Sequence, residues 1–133
     1  MASIFVVDDS ESTCKIIKKI LELEGHAVRT ESNPLKAIEF LSNIEDSLSV
    51  SAIFLDLNMP EMNGHEFVEK IKKNPKLEKV PIILLTASEA ASSMIKSYNI
   101  GVDYFMSKPT TKKQLLYALH TVLEESKVKI HEL

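Results

Sequence analysis

The sequence predicts an α/β fold, a doubly wound five-stranded parallel sheet with helices covering both faces. Short β-rich runs alternate five times with segments whose apolar residues recur at helical spacing. The central runs are almost entirely apolar, which is typical of strands buried on both faces. Consecutive runs lie too far apart in the chain for hairpins, so right-handed crossovers and parallel pairing are expected.

The size and composition of the chain indicate one globular domain. Its 133 residues include 44% apolar and 26% charged residues, enough for a core and unlike a disordered chain. The net charge of −3 argues against a nucleic-acid-binding protein that neutralises phosphates. No apolar run approaches the ~18 residues of a membrane span, and the N-terminus lacks the basic region of a signal peptide. We therefore expect a cytoplasmic protein with no nucleic-acid and no membrane partner.

The first part of the chain contains two predicted strand–helix units. The run from Ser3 to Asp8 is the first strand, and Ser10 and Gly25 suit the beginning and end of the following helix. The apolar residues of this helix are Cys14, Ile16, Ile17, Ile20, Leu21 and Leu23. Alternation over residues 26–31 indicates a strand near an edge, and Asn33-Pro34 is typical of a helix start. The stripe of that second helix is Leu35, Ala37, Ile38 and Leu41.

The middle of the chain contains the most apolar strands. Residues 43–50 are expected to end the second helix and form a loop, and the apolar run after them ends at Asp56. A third helix is predicted from about Gly64 to Lys73, where Asn74-Pro75 ends it. The fourth strand is predicted over 80–85, with Thr86 at its end.

The last third of the chain completes the pattern. A helix poor in large apolar residues is predicted over 89–98 and a short strand over 102–106. Thr110 or Thr111 is expected to cap the final helix, whose predicted buried face is Leu115, Leu116, Leu119, Val122 and Leu123. We expect residues 1–126 to form the domain, with 127–133 a tail that extends this helix or docks on a partner.

The expected sheet has the flavodoxin-like strand order 2-1-3-4-5, in which ligands bind at the carboxyl ends of the strands. These ends carry Asp8, Asp9, Asp56, Thr86 and Lys108. Three carboxylates held this closely need a cation, and an oxygen-only set of ligands suits Mg²⁺. Asp56 is the candidate nucleophile, because a carboxylate can attack phosphorus and become an acyl phosphate. The metal and Lys108 would neutralise the charge that accumulates during transfer.

Four separated motifs resemble the receiver domain of two-component response regulators. They are Asp8-Asp9, the stretch Asp56-Leu-Asn-Met-Pro-Glu-Met-Asn-Gly64, Thr86-Ala87 and Lys108-Pro109. The resemblance covers essentially the whole chain, and the motifs agree in order and spacing. It implies that Asp56 accepts a phosphoryl group from a sensor histidine kinase or a histidine phosphotransfer protein.

The resemblance also implies roles for the other residues of these motifs. Asp8, Asp9 and Asp56 would bind Mg²⁺ together with the backbone carbonyl of Asn58. Thr86 would be the switch hydroxyl that moves onto the phosphoryl group.

Three further positions match the family pattern around the last strand. Phe105 would be the aromatic residue that moves with the switch hydroxyl. Lys108 would contact the phosphoryl group and would be joined to Pro109 by a cis peptide bond. Phosphorylation would then change the face formed by the helix over 89–98, the fifth strand and the final helix.

The expected output of this switch is binding. We expect a stand-alone receiver that binds a downstream target protein, associates with its own copy through that face, or serves as a phosphate-relay intermediate. The main alternative is a Mg²⁺-dependent phosphohydrolase of the haloacid-dehalogenase type, whose motif needs a second aspartate where this chain has Asn58. A degenerate receiver used as a scaffold is a third hypothesis, and the intact motifs count against it.

Overall fold

The computed structural model describes residues 2–43, 50–87, 96 and 99–131, with side chains up to residue 124. Five parallel strands and four helices lie in this part of the chain. The elements are β1 (Ser3–Val7), α1 (Glu11–Leu23), β2 (Ala27–Glu31), α2 (Pro34–Ser42), β3 (Ala52–Asp56), α3 (Gly64–Lys72), β4 (Ile82–Thr86), β5 (Tyr104–Ser107) and α4 (Lys112–His131). Most of the helix predicted over 89–98 and most of the loop predicted over 43–50 lie outside the described residues.

The strands form one sheet in the order β2-β1-β3-β4-β5, and every neighbouring pair is parallel. This confirms the predicted doubly wound fold. All five residues of β3 and of β4 are buried, whereas β2 lies at an edge and is partly exposed, as its alternating sequence indicated.

Two clusters of buried side chains, one on each face of the sheet, form the core. The cluster under α2 and α3 includes Phe5, Val7, Ala37, Leu41, Ile53, Leu55, Phe67, Val68, Ile71 and Leu84. The cluster under α1 and α4 includes Val6, Cys14, Ile17, Leu21, Phe54, Leu85, Leu115, Ala118, Leu119 and Val122. Each fully buried large apolar side chain contributes about 1.5–3 kcal/mol, so both faces stabilise the sheet substantially.

The beginnings of the helices follow local sequence signals. The Ser10 side chain accepts a hydrogen bond at the start of α1, and Asn33 does the same at the start of α2, which has Pro34 at its first position. Thr111 and Gln114 exchange hydrogen bonds at 3.1 Å, so Thr111 rather than Thr110 caps α4. α4 continues to His131 and therefore through residues 127–131 of the expected tail.

Two strands begin later than the sequence predicted. β4 begins at Ile82, because Val80 donates its amide hydrogen bond within a turn, to Leu77 at 3.0 Å, and Pro81 has no amide hydrogen. β5 begins at Tyr104 and extends to Ser107. Asp103 precedes it, and its carboxylate accepts a hydrogen bond from the Ile82 amide at 2.9 Å, in place of a backbone carbonyl of a neighbouring strand.

Helix α1 buries a narrower stripe than its apolar residues suggested. Cys14, Ile17 and Leu21 are buried, but Ile16 is 58% and Leu23 is 74% exposed. At 3.6 residues per turn, the two exposed side chains lie roughly 180–200° around the helix from Cys14, so they face solvent when Cys14 faces the sheet.

An arginine on the edge strand β2 takes part in a stack of three side chains. The guanidinium of Arg29 lies 3.8 Å from the centre of the Phe40 ring. That ring stacks on Phe5 with a centroid separation of 5.5 Å. This contact joins β2 to α2 and to the core strand β1, and a cation over an aromatic face stabilises it further.

The helices of the described residues do not meet the requirements of a membrane span. None of them combines the necessary length with the necessary apolar character.

Two glycines allow backbone arrangements that other residues do not. A Cβ on Gly64 would lie 2.8 Å from Leu57 Cα and 2.9 Å from the Asp56 carbonyl oxygen, so the start of α3 packs directly against the end of β3. Gly25 ends α1 with a φ of 88°, and a Cβ added there would meet nothing within 4 Å, so its requirement is conformational rather than steric.

We predict that Gly64→Ala and Gly25→Ala both destabilise the protein, for different reasons. Gly64→Ala should cost about 1–3 kcal/mol through overpacking, and Gly25→Ala about 1–2 kcal/mol through the left-handed backbone. Asparagine, which tolerates that backbone, should restore stability at position 25 and worsen it at position 64. Urea unfolding measures all four variants, and wild-type stability of Gly64→Ala would contradict the close approach.

Candidate functional site

The carboxyl ends of four neighbouring strands place the predicted site residues at one edge of the sheet. Asp8 directly follows β1, and Asp56 is the last residue of the adjacent strand β3. Thr86 ends β4, and Lys108 directly follows β5. Strands β1, β3 and β4 are almost completely buried up to these positions, and β5 is half-buried, so the polar side chains of the first three strands are held on a rigid support.

Three carboxylates gather at this edge. Asp8, Asp9 and Asp56 each offer an oxygen that lies within 4.8 Å of the others. Asp8 and Asp56 are buried, whereas Asp9 is exposed and closes the cluster on its solvent side. The separation allows all three carboxylates to contact one cation, and it also places them within range of strong mutual repulsion.

Asp8 is held by the chain around it but keeps one oxygen for a cation. Its Oδ1 accepts a hydrogen bond from the Ser10 amide at 2.9 Å, and its own amide donates to the Glu31 carbonyl at 3.2 Å. Its Oδ2 is buried, and its partner is an ammonium group rather than the main chain. The ammonium of Lys108 lies 2.6 Å from that oxygen.

The ammonium group of Lys108 faces the buried carboxylates of Asp8 and Asp56. Its Nζ lies 2.6 Å from Asp8 Oδ2 and 3.5 Å from Asp56 Oδ2. Burial lowers the pKa of Lys108, but the hydrogen bonds and charges of both aspartates outweigh it and raise the pKa overall, so the ammonium stays charged. One positive charge facing three carboxylates leaves the cluster negative.

The pKa of Asp56 is raised well above its ordinary value. Burial, a hydrogen bond with Asp9 and the charge of Asp8 raise the pKa of Asp56 to about 7. Lys108 and the amide of Asn58, which donates to Asp56 Oδ1 at 3.3 Å, oppose that rise. Near neutral pH, the metal-free protein therefore holds a proton at Asp56 in part of its population.

These observations fit a bound metal ion. The donors are carboxylate oxygens, which hard divalent cations prefer, and the three carboxylates carry more negative charge than Lys108 neutralises. A cation would also relieve the repulsion that raises the pKa of Asp56. The predicted fourth ligand, the carbonyl of Asn58, belongs to an exposed residue two positions after Asp56, and its role stays a prediction.

Thr86 and Phe105 lie on the next two strands, beside the cluster. Phe105 is paired with Leu84 and Ser107 with Thr86, so Thr86 and Phe105 share the face of the sheet that packs on α2 and α3. Thr86 is fully buried, and its carbonyl accepts the Lys108 amide hydrogen bond at 2.7 Å. That contact connects the end of β4 to the lysine.

The peptide bond between Lys108 and Pro109 is cis.

The structure adds one contact that the sequence did not reveal. The thiol of Cys14 donates a hydrogen bond to the Asp8 carbonyl at 3.3 Å. Burial and the charge of Asp8 raise the pKa of the Cys14 thiol to about 11, so it stays protonated. The sequence indicated only a small buried residue, and the spacing of six residues from Asp8, across a strand end and one helical turn, was the available signal.

We predict that the raised pKa of Asp56 makes metal-free stability depend on pH. The folded protein retains the Asp56 proton up to a pH of about 7, whereas the unfolded chain releases it near its ordinary value of 3.8. The folded state therefore binds more protons between these values, and its free energy of unfolding falls as the pH rises through them.

In the presence of a chelator, Asp56→Asn should melt a few degrees above wild type at about pH 7.5. The difference should disappear below about pH 3, where the wild-type carboxyl is largely neutral in both states. Thermal unfolding across this range provides the test, and a difference independent of pH would contradict the raised pKa.

Comparison with known proteins identifies a family that matches most of the chain. The family model of the response regulator receiver domain matches residues 4–120. The CheY homologue of Campylobacter jejuni strain 81-176, a chemotaxis protein, is 36% identical over 121 residues, which cover 90% of this chain and 91% of that protein.

Solved structures extend the likeness to the whole fold. The chemotaxis response regulator CheY4 of Vibrio cholerae has a TM-score of 0.84 and 28% identity, covering 92% of this chain and 99% of that one. The beryllofluoride-activated NtrC4 receiver domain, solved as a dimer, has a TM-score of 0.84 and 28% identity, covering 95% and 99%. The chain therefore belongs to the response regulator receiver domain family, a family of phosphoacceptor signalling domains, not catalytic enzymes, that interact with histidine kinases and downstream targets.

Proposed function

We propose that this chain is a phosphorylation switch in which Asp56 accepts a phosphoryl group from a phosphohistidine. The donor would be a sensor histidine kinase or a histidine phosphotransfer protein in the cytoplasm. The observation that carries the proposal is the position of Asp56, at the end of a buried strand, with its Oδ2 3.5 Å from Lys108 and its carboxylate beside Asp8 and Asp9.

Asp8, Asp9 and Asp56, with the backbone carbonyl of Asn58, would hold Mg²⁺. The three carboxylates supply the oxygen ligands that this ion prefers, and their net charge exceeds what Lys108 neutralises. When bound, Mg²⁺ supplies positive charge to the phosphoryl oxygens during transfer.

The transfer itself uses the residues of this chain directly. An oxygen of the ionised Asp56 carboxylate attacks phosphorus, and the bond between phosphorus and the donor imidazole breaks. The electron pair returns to the imidazole nitrogen, which takes up a proton, and Asp56 becomes an acyl phosphate. Lys108 already lies beside Asp56 and would pair with a phosphoryl oxygen as charge accumulates.

The phosphoryl group would then act on Thr86 and Phe105. It adds about two negative charges and strong hydrogen-bond acceptors at Asp56. The Thr86 hydroxyl would gain this acceptor only in the phosphorylated state, which supplies the differential interaction that a population shift requires. Phe105 lies on the same face, one strand further along the sheet, and would move into the space that Thr86 leaves.

The output would be a change in the face formed by β5, α4 and the segment over 89–98. Most of that segment lies outside the described residues. Tyr104 and Tyr117 meet edge to face on it at 6.5 Å and line a cavity of about 600 Å³. Tyr117 is 65% exposed, so the surface offers an aromatic contact to a partner. Either a downstream target or a second copy would bind there; the dimer of the activated NtrC4 receiver domain is consistent with the second.

We predict that acetyl phosphate with Mg²⁺ adds one phosphoryl group to the wild-type protein, about 80 Da by formula, because the ionised carboxylate attacks phosphorus. Asp56→Asn should show no gain, and a chelator should abolish the gain in wild type. Intact mass spectrometry measures all three. An equal gain in Asp56→Asn would remove Asp56 as the acceptor, and an equal gain with the chelator would remove the metal requirement.

We predict that Thr86→Ala still gains the phosphoryl mass but loses most of the response at β5 and α4. The alanine lacks the hydroxyl that responds to the phosphoryl group. Amide chemical shifts of residues 104–107 and Tyr117, compared with and without phosphorylation, measure the response. Thr86→Ser keeps the hydroxyl and should retain it, and a full response in Thr86→Ala would show that another group couples the site to this face.

A further inference from the structure

Three hydrogen bonds of Asp8 hold the loop that carries the acid pair, in addition to the contact of its Oδ2 with Lys108. The amide of Asp8 donates to the Glu31 carbonyl, and its Oδ1 accepts from the Ser10 amide. The third contact is on the carbonyl oxygen, which accepts the Cys14 thiol at 3.3 Å. This last contact comes from α1, whereas the other two come from β2 and from the loop itself.

We propose that Cys14 is a positioning residue for the metal site, whose thiol fixes the peptide between Asp8 and Asp9 and thereby sets the spacing of their carboxylates. This inference rests on the proposed function, because it concerns the same site. It assigns to Cys14 a role beyond packing in the core under α1.

The position of the thiol explains how it would act on both carboxylates. The Asp8 carbonyl belongs to the peptide that joins Asp8 to Asp9, so rotation of this peptide would move the Asp9 side chain relative to Asp8. Asp9 is exposed, so burial does not fix its side chain, and the position of the main chain decides whether that side chain reaches Asp56. Cys14 is itself 4% exposed and packs between α1 and the sheet, which makes it a rigid anchor.

A second observation indicates that the spacing of this pair matters for a ligand. Asp8 Oδ2 is completely buried, and Lys108 Nζ, which lies 2.6 Å from it, also lies 3.5 Å from Asp56 Oδ2, so this oxygen already faces a positive charge that it shares with the acid cluster. An oxygen held in this way can gain from a cation only if the neighbouring carboxylates converge on the same point. The peptide that Cys14 holds controls that convergence.

The test compares Mg²⁺ affinity in variants that separate hydrogen bonding from packing. Cys14→Ala and Cys14→Val lack a donor, and alanine is smaller and valine larger than cysteine, so a shared loss would not come from volume. Cys14→Ser keeps a donor. Leu21→Val, a buried change elsewhere on α1, is the control for lost stability alone.

We expect both donor-free variants to bind Mg²⁺ about two- to five-fold more weakly than wild type, as the loss of one weak hydrogen bond implies. Cys14→Ser should stay within about two-fold of wild type, and Leu21→Val should lose stability without losing affinity. Isothermal titration calorimetry measures affinity, and thermal unfolding measures stability. In the metal-free protein, the amide chemical shifts of Asp9 and Ser10 should change in the donor-free variants more than in Cys14→Ser.

Wild-type affinity in both donor-free variants would overturn the inference, as would a loss in Leu21→Val equal to theirs. This outcome is distinguishable from failure of the proposed function, which is tested on the wild-type protein. A wild-type protein that binds Mg²⁺ but gains no phosphoryl group contradicts the phosphoacceptor role, and the Mg²⁺ affinities of the Cys14 variants can still be compared with it. A wild-type protein that binds no Mg²⁺ would overturn both.

Discussion

The repulsion among Asp8, Asp9 and Asp56 is the constraint on which the rest of this molecule depends. Two of these carboxylates are buried, and Lys108 supplies one positive charge to the three. Burial, a hydrogen bond with Asp9 and the charge of Asp8 together raise the pKa of Asp56 to about 7. Such a cluster is costly in isolation and favourable with a cation, which fits the proposed binding of a metal and a phosphoryl group. The surrounding fold must therefore be stable enough to hold an unfavourable group of charges in place.

The parallel sheet supplies that stability and also brings the three carboxylates and Lys108 together. Its two core clusters bury both faces of β3 and β4, and the ends of the four neighbouring strands then meet at one edge without any long loop. Main-chain groups complete the site, because Asp8 and Asp56 accept hydrogen bonds from the amides of Ser10 and Asn58. Gly64 allows α3 to start directly against the peptide that follows Asp56. The same contacts that build the fold therefore orient the reactive carboxylate.

Local signals in the sequence predicted most of this arrangement, and tertiary contacts account for what they missed. The caps Ser10, Asn33 and Gly25 act on their own helix ends, so the residues alone were enough to locate them. The late start of β5 depends on the Asp103 carboxylate reaching Ile82, twenty-one residues away, which no local pattern shows. The exposure of Ile16 and Leu23 likewise depends on which face of α1 meets the sheet. The role of Cys14 was missed because a single cysteine among apolar residues is indistinguishable from a packing residue until its neighbour is known.

The stack of Arg29 on Phe40 at the edge strand has a consequence for assembly. The outer side of β2 is an unpaired strand edge, and such edges can template the addition of further strands from other chains. A guanidinium held over an aromatic ring 3.8 Å away places a fixed charge on this strand, and Glu31 adds a second charged side chain to it. Pairing a foreign strand there would require these charges to lose water, so growth of the sheet beyond β2 is disfavoured. Charged side chains on β2 therefore disfavour the uncontrolled addition of strands at this border of the sheet.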